Sequence, residues 1–266
     1  MSNPDKKLFL LDAFALIYRA YYAFIKNPRI NSKGLNTSAV LGFTNTLLDV
    51  LNNQKPSHIA VVFDTPGPTD RETIYADYKA NREAMPEDIA LSIPYIKQLI
   101  QGFNIPILES PGYEADDIIG TLSTLADAKG YTTYMMTPDK DFGQLVTDNV
   151  FMFKPPKGGS PAEVLGVKEI CEKFEIQDPK QLIDILGLWG DAVDNIPGVP
   201  GVGEKTAKKL ISEFGSIENL LENTDKLKGK LKENVENYSE QALLSKQLAT
   251  IILDSPVEFD EELLKL

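Results

Sequence analysis

Apolar residues fall into two rhythms along this chain. Short continuous runs, LFLL at 8–11, IAVVF at 59–63 and YMM at 134–136, are rich in aromatic and branched side chains and read as strands buried on both faces. Between them, apolar positions return every three or four residues, the period of a helix with one buried face. The resulting order is strand 8–12, helix 13–25, a loop at 31–34, helix 38–52, strand 58–64, a polar stretch at about 66–88, helix 89–102, strand 105–109, helix 114–129, strand 132–137 and a short helix from Phe142. Strands alternating with helices predict an α/β fold, a mostly parallel central sheet flanked by helices. Beyond the connector KPPKGGSP at 154–161 the pattern is helical only, over 167–175, 179–188, 204–214, 216–222 and 230–249. The division therefore falls near 160, with an α/β core at 1–160 and a helical part at 161–266.

The main strands end on acids: Asp12, Asp64, and the pair Asp139 and Asp141. Parallel α/β sheets bind ligands outside the carboxyl ends of their strands, so these carboxylates are expected to converge. GYEADD adds Glu114, Asp116 and Asp117 at a predicted helix start, and GDAVDNIPG adds Asp191 and Asp194, three apart and able to share a face. Taken singly, each reads equally well as a helix cap or loop starter. Nine together in one pocket would repel one another unless cations compensate, and oxygen-only ligands suit Mg²⁺, with Mn²⁺ as a substitute.

Composition narrows the field. At 266 residues, 42% hydrophobic and 25% charged, the chain can bury a large core and has the balance of a globular protein. A net charge of −12 argues by itself against a polyanionic partner, yet nine of those charges fit a site built to hold cations. One cysteine, Cys171, and no run of about 18 apolar residues predict no disulfide framework, no membrane insertion and a cytoplasmic setting. The single histidine, His58, precedes a strand and reads as structural. Ser-His-Asp and Cys-His mechanisms thus lack their base, and a zinc site lacks nitrogen and sulfur ligands.

In the polar stretch, Arg71, Tyr75, Tyr78 and Arg82 fall at helical spacing with Lys79 beside them. Cations interleaved with aromatics suit single-stranded nucleic acid, although a surface helix with snorkelling cations has the same pattern. GVPGVGEKTA has the look of a phosphate-binding P-loop, but Glu204 interrupts the Gly-Lys step. It reads better as a hairpin between helices. Gly198, Gly201 and Gly203 would let backbone approach a phosphate while Lys205, Thr206, Lys208 and Lys209 grip a duplex without reading bases. A helix cap followed by a solvated basic face is the plainer alternative.

The ordered set Asp12, VVFD ending at Asp64, YKANR ending at Arg82, GYEADD, TPDKD and GDAVDNIPGVPGVGEKTA resembles the 5′-nuclease superfamily, most closely the N-terminal 5′→3′ exonuclease domain of bacterial DNA polymerase I. The resemblance covers essentially the whole chain. It implies a PIN-like or resolvase-like core, a helix-hairpin-helix element on duplex DNA, and an arch over the active site. It assigns Asp12, Asp64, Glu114 and Asp116 to a first metal cluster and Asp139, Asp141, Asp191 and Asp194 to a second, with Asp116 near both and Asp117 in support. Lys79 and Arg82 match the arch cations, and Arg19 a basic catalytic position on the first helix. The implied activity is cleavage of flapped, nicked or branched DNA near the junction by two Mg²⁺ ions, in primer or flap removal during replication and repair. A monomer, a monovalent cation at the hairpin and a linked polymerase region outside this sequence are further expectations. Asp70 departs from the family, which commonly has an aromatic there, and Ala192 and Val193 stand where hydroxyl residues are common. On the residues alone two other readings stay open: a DNA clamp with a structural metal pocket, and a magnesium phosphohydrolase using a strand-end Asp nucleophile. For the latter, Phe14 stands where an acid is wanted.

Overall fold

The computed structural model describes residues 6–156 and 158–266; Lys157, in the connector, lies outside them. Six strands, β1 (Lys7–Asp12), β2 (His58–Val62), β3 (Ile107–Leu108), β4 (Thr132–Met136), β5 (Val150–Lys154) and β6 (Glu163–Leu165), form one sheet in the order β3-β2-β1-β4-β5-β6. Every pair is parallel except β5 with β6.

The apolar runs are continuous because both faces are covered. Leu8 and Leu10 join Ala60, Val62 and Met135 on one face, while Phe9 and Leu11 join Ile59, Val61 and Met136 on the other. Helices α1 (Ala13–Ala23) and α2 (Ser38–Asp49) cover the second face together with α4 (Glu87–Gly102), which follows the short α3 (Asp70–Ile74). Helix α5 (Ala115–Ala128) covers the first face. Each fully buried Leu, Ile or Phe contributes about 1.5–3 kcal/mol, so this sandwich is the main source of stability.

The helical part comprises α6 (Val167–Phe174), α7 (Leu182–Trp189), α8 (Glu204–Phe214), α9 (Ile217–Glu222), α10 (Gly229–Asn237), α11 (Ser239–Ala249) and α12 (Glu261–Leu264). Its buried Leu182, Leu186 and Ile211 share one core cluster with Leu8, Leu10 and Ile118. The sheet itself runs past residue 160 into β6, so the expected division cuts across a strand pair. The expected single helix at 230–249 is two, because Tyr238 leaves the helical region (φ −115°, ψ 25°). Among the described residues no helix is long and apolar enough to cross a membrane.

This topology positions the acids. The chain steps from β1 outward to β2 and β3 and then returns to the other side of β1 as β4, which opens a crevice at the carboxyl ends of β1 and β4. The loop between α7 and α8 is brought to that crevice by two glycines with positive φ, Gly190 and Gly198 (78° and 61°). Their backbones cross so closely that a Cβ on Gly198 would lie 2.4 Å from the Gly190 nitrogen. Paired bonds, Asp191 N to Ile196 O at 2.9 Å and Ile196 N to Asp191 O at 2.8 Å, staple the loop that carries Asp191 and Asp194.

Candidate active site

Asp12 ends β1 and caps α1: Oδ1 accepts from Ala15 N (3.1 Å) and Oδ2 from Thr137 Oγ1 (2.9 Å), just past β4. Asp64 lies two residues beyond β2 and its Oδ1 accepts from Ala115 N (2.9 Å), so it caps α5 from 51 residues away. Glu114, buried at the start of α5, turns its carboxylate toward Lys79 Nζ (2.7 Å) and the Tyr78 hydroxyl (3.1 Å). Asp116 Oδ1 is buried with no hydrogen-bond partner among the described residues. These four acids line one cavity of about 660 Å³.

A second cavity, of about 370 Å³, adjoins it and is lined by Asp139, Asp141, Asp191 and Asp194. Asp139 Oδ1 accepts from Asp141 N (3.1 Å), and Asp191 Oδ1 from Val193 N (2.7 Å). Asp141 Oδ1 is buried and unpartnered, although Lys140 Nζ is 3.3 Å away. Asp139 and Arg82 line both cavities, and Asp116, which the resemblance implies to be near both clusters, lines the first.

Side-chain cations already stand among these acids. Lys79, held at φ +57° with its backbone N donating to Asp194 O (2.9 Å), reaches Glu114, and Arg82 Nη2 donates to Asp194 Oδ1 (2.6 Å). Lys140 donates to Asp191 Oδ2. Burial works against charge on Lys79, but Glu114 and Asp194 outweigh it and hold its ammonium above the ordinary lysine range. Accordingly no three acidic side chains among the described residues are gathered around one point closely enough to hold an ion as they stand.

Burial first, then Asp64, pushes the Asp12 carboxyl up to about 7, and burial first, then Asp139, pushes Asp141 up to about 7. Asp116 is raised by burial and then by Glu114. The native chain therefore keeps protons that the unfolded chain, titrating near 3.8, has already lost. The stability these groups contribute is present at low pH and declines as pH rises from about 4 to about 7. In chelator the melting temperature should fall across the upper part of that window, and Asp12→Asn should flatten the slope. A wild-type slope identical to that of Asp12→Asn would contradict this.

Several expected contacts are redirected. Between β2 and α4 only Asp70–Ile74 is helical, so Arg71, Tyr75, Tyr78 and Arg82 do not share a helix face. Arg71 is buried, with Nη1 and Nη2 donating to Asp117 (2.9 and 2.7 Å) and Nε and Nη2 donating to the Leu248 and Thr250 carbonyls, so its guanidinium is turned into the protein and not toward the surface expected to meet DNA. Asp117 is saturated by Arg71 and by the Glu114 and Ile252 N–H groups, lines neither cavity, and is a buried structural acid in place of a metal ligand. Tyr78 is 4% exposed and Tyr75 packs on the core, leaving neither ring free to stack on a base. Arg19 donates to Pro156 O in the connector and lines neither cavity.

In the hairpin, Gly198 is buried against Gly190 and presents nothing to a ligand. Lys208 is bound to Lys173 O (2.9 Å) and Glu204 (2.8 Å). Gly201, Gly203, Lys205 and Lys209 are exposed and Thr206 is half-buried at the start of α8. Ala192 and Val193 are exposed between the paired aspartates, and Asp70 is exposed at the start of α3.

Tyr18 and Tyr22, which line the first cavity with Phe14 and Val193, and Lys140, which lines the second, are not among the site residues expected from the sequence. The tyrosines carry a signal, since they sit four apart on α1 and Tyr22 is 54% exposed on a helix whose other face is core. The only sign of Lys140 is its place inside DKD.

Comparison with known proteins agrees with this geometry. Residues 7–175 match the model of the 5′-3′ exonuclease N-terminal resolvase-like domain, and residues 177–266 that of the 5′-3′ exonuclease C-terminal SAM fold. The chain is 44% identical over 255 residues to DNA polymerase I of Bacillus subtilis, which covers 95% of this chain and 28% of that one. It is 39% identical over 261 residues to the 5′-3′ exonuclease of Aquifex aeolicus, covering 98% of this chain and 87% of that one. The chain thus spans under a third of the polymerase relative. Its fold is that of T5 5′-exonuclease, solved with divalent metal ions (zinc) bound, with a TM-score of 0.74 at 22% identity over 92% of this chain and 89% of that one. Matched along nearly its whole length by two consecutive family models, the chain belongs to the 5′-3′ exonuclease family.

Proposed function

We propose that this chain is a structure-specific 5′→3′ exonuclease and flap endonuclease that hydrolyses DNA phosphodiesters with two divalent cations. The observation that carries the reading is the pair of adjoining cavities, the first lined by Asp12, Asp64, Glu114 and Asp116 among its acids, the second by Asp139, Asp141, Asp191 and Asp194, with Asp139 and Arg82 lining both. The donor set fits such ions. All eight groups offer hard oxygens, and two of those oxygens, Asp116 Oδ1 and Asp141 Oδ1, are buried and accept no hydrogen bond from the described residues. Asp12, Asp64, Glu114 and Asp116 would hold one ion and Asp139, Asp141, Asp191 and Asp194 the other. Bound there, divalent ions supply charge to a phosphate and lower the pKa of a water.

The chain's own residues do the rest. Lys79 and Arg82, resting on Glu114 and Asp194, can turn to the oxygens of a phosphate entering the crevice and neutralise charge that develops on it. Tyr18 and Tyr22 line the first cavity together with its acids, and their rings suit the flat faces of unpaired nucleotides. The exposed hairpin, with Gly201, Gly203, Lys205, Thr206 and Lys209 at the start of an 11-residue helix, suits a duplex backbone.

Incubation with a 5′-labelled flap duplex tests this reading: cleavage near the junction with Mg²⁺, and none in chelator, is expected. Uncut flap together with hydrolysis of a small phosphate ester would favour the phosphohydrolase alternative. Lys79→Ala should lower single-turnover cleavage by roughly 10²-fold while flap affinity changes little, as for loss of one charge-stabilising donor. Equal single-turnover rates would remove Lys79 from the chemistry.

A further inference from the structure

Lys140 opens the short 3₁₀ turn Lys140–Leu145 and lies inside the second cavity. Its Nζ donates to Asp191 Oδ2, lies 3.3 Å from Asp141 Oδ1, and passes over the Trp189 ring at 5.7 Å from the centroid. One ammonium thus serves two of the four carboxylates of that cavity. Its side chain is 29% exposed, whereas those of Asp141 and Asp191 are 12% and 7% exposed, so the lysine can swing outward while the acids cannot. Lys79 differs: it lines only the first cavity, and the one carboxylate within hydrogen-bond reach of its ammonium is Glu114 (2.7 Å).

We propose that Lys140 is the built-in counter-ion of the second cavity and competes directly with the second divalent cation for Asp191 and Asp141. The inference rests on the reading of that cavity as a cation site. An ammonium and a divalent ion cannot occupy the same oxygens, so the second ion binds only as Lys140 leaves. Meanwhile the lysine keeps the stapled 191–196 loop folded when no ion is present, since the buried Asp141 and Asp191 would repel without it. The second ion is therefore the weaker one, and its affinity is set by a residue that is not itself a ligand.

The test is a Mn²⁺ titration of the whole chain without DNA, following free Mn²⁺ by electron paramagnetic resonance. It compares wild type, Lys140→Gln and Lys168→Gln, the last removing the same charge at an exposed site paired with Glu172. Lys140→Gln should tighten the second site by roughly tenfold at low salt and keep that gain at roughly 1 M salt, where the screening length shrinks to about 3 Å. In chelator the same variant should melt lower than wild type and gain more from Mn²⁺. In wild type, the Lys140 ε-methylene resonance should shift with the second equivalent of Mg²⁺ and not with the first, a readout that does not depend on any variant folding. An unchanged or weaker second site in Lys140→Gln, an equal gain in Lys168→Gln, or a gain abolished by salt overturns the competition. If neither protein takes up a second ion at saturation, the cation reading of the cavity fails and the inference with it.

Discussion

Asp116→Asn is expected to abolish cleavage of a 5′-labelled flap, by roughly 10³-fold or more in single turnover, while leaving duplex binding within a few fold. The estimate takes as a floor the loss caused by deleting one preorganised electrostatic partner of a transition state. The substitution keeps shape and one oxygen but removes the charge, and the oxygen concerned has no hydrogen-bond partner among the described residues. For that reason the same change should raise the melting temperature in chelator, because a buried carboxylate crowded by Glu114 is replaced by a neutral amide. Activity and metal-free stability then move in opposite directions, as expected where a site is kept charged for function. Asp64→Asn should lose cleavage likewise yet hold its fold, since its Oδ1 still accepts from Ala115 N at the start of α5. Retained turnover per bound complex in either variant would refute the assignment, and lost binding with full turnover would move these acids from chemistry to docking.

Much of the fold was legible because burial on both sheet faces leaves a direct imprint. LFLL and IAVV are apolar at every position, too short for an ordinary helix and rich in aromatic or branched side chains. Strands β5 and β6 left a weaker imprint: VFMFK is cut short by the connector, and EVL is a three-residue antiparallel edge with two exposed positions. The break at Tyr238 has neither Gly nor Pro to announce it. In the site, the acids were legible as charges at strand ends and helix starts, and eight of the nine line the two cavities. What a sequence hides is the partner. Asp117 and Arg71 lie 46 residues apart, so each read as a free charge available to a ligand, and only the packing of α3 against α5 commits them to one another. The same holds for Lys208 and Arg19, whose carbonyl partners are 35 and 137 residues away.

Arg71→Ala should therefore act on stability. Removing the guanidinium leaves Asp117, 1% exposed, as a buried charge without its counter-ion, and strips donors from the Leu248 and Thr250 carbonyls. Breaking a buried pair from one side costs about 3–5 kcal/mol, which for a chain of this size lowers the melting temperature by roughly 6–20 °C. Asp117→Leu should be comparably damaging, since it strands Arg71 and also frees the N–H groups of Glu114 and Ile252. Joining Arg71→Met to Asp117→Leu should restore part of the loss, because a buried ion pair replaced by apolar side chains is often neutral. Restoration stays partial because those two N–H groups still lack an acceptor. Calorimetry of the two single variants and the double variant gives the coupling directly, and flap binding below the melting range separates fold from contact. An Arg71→Ala protein that melts with wild type but binds DNA weakly would return this arginine to the nucleic-acid surface.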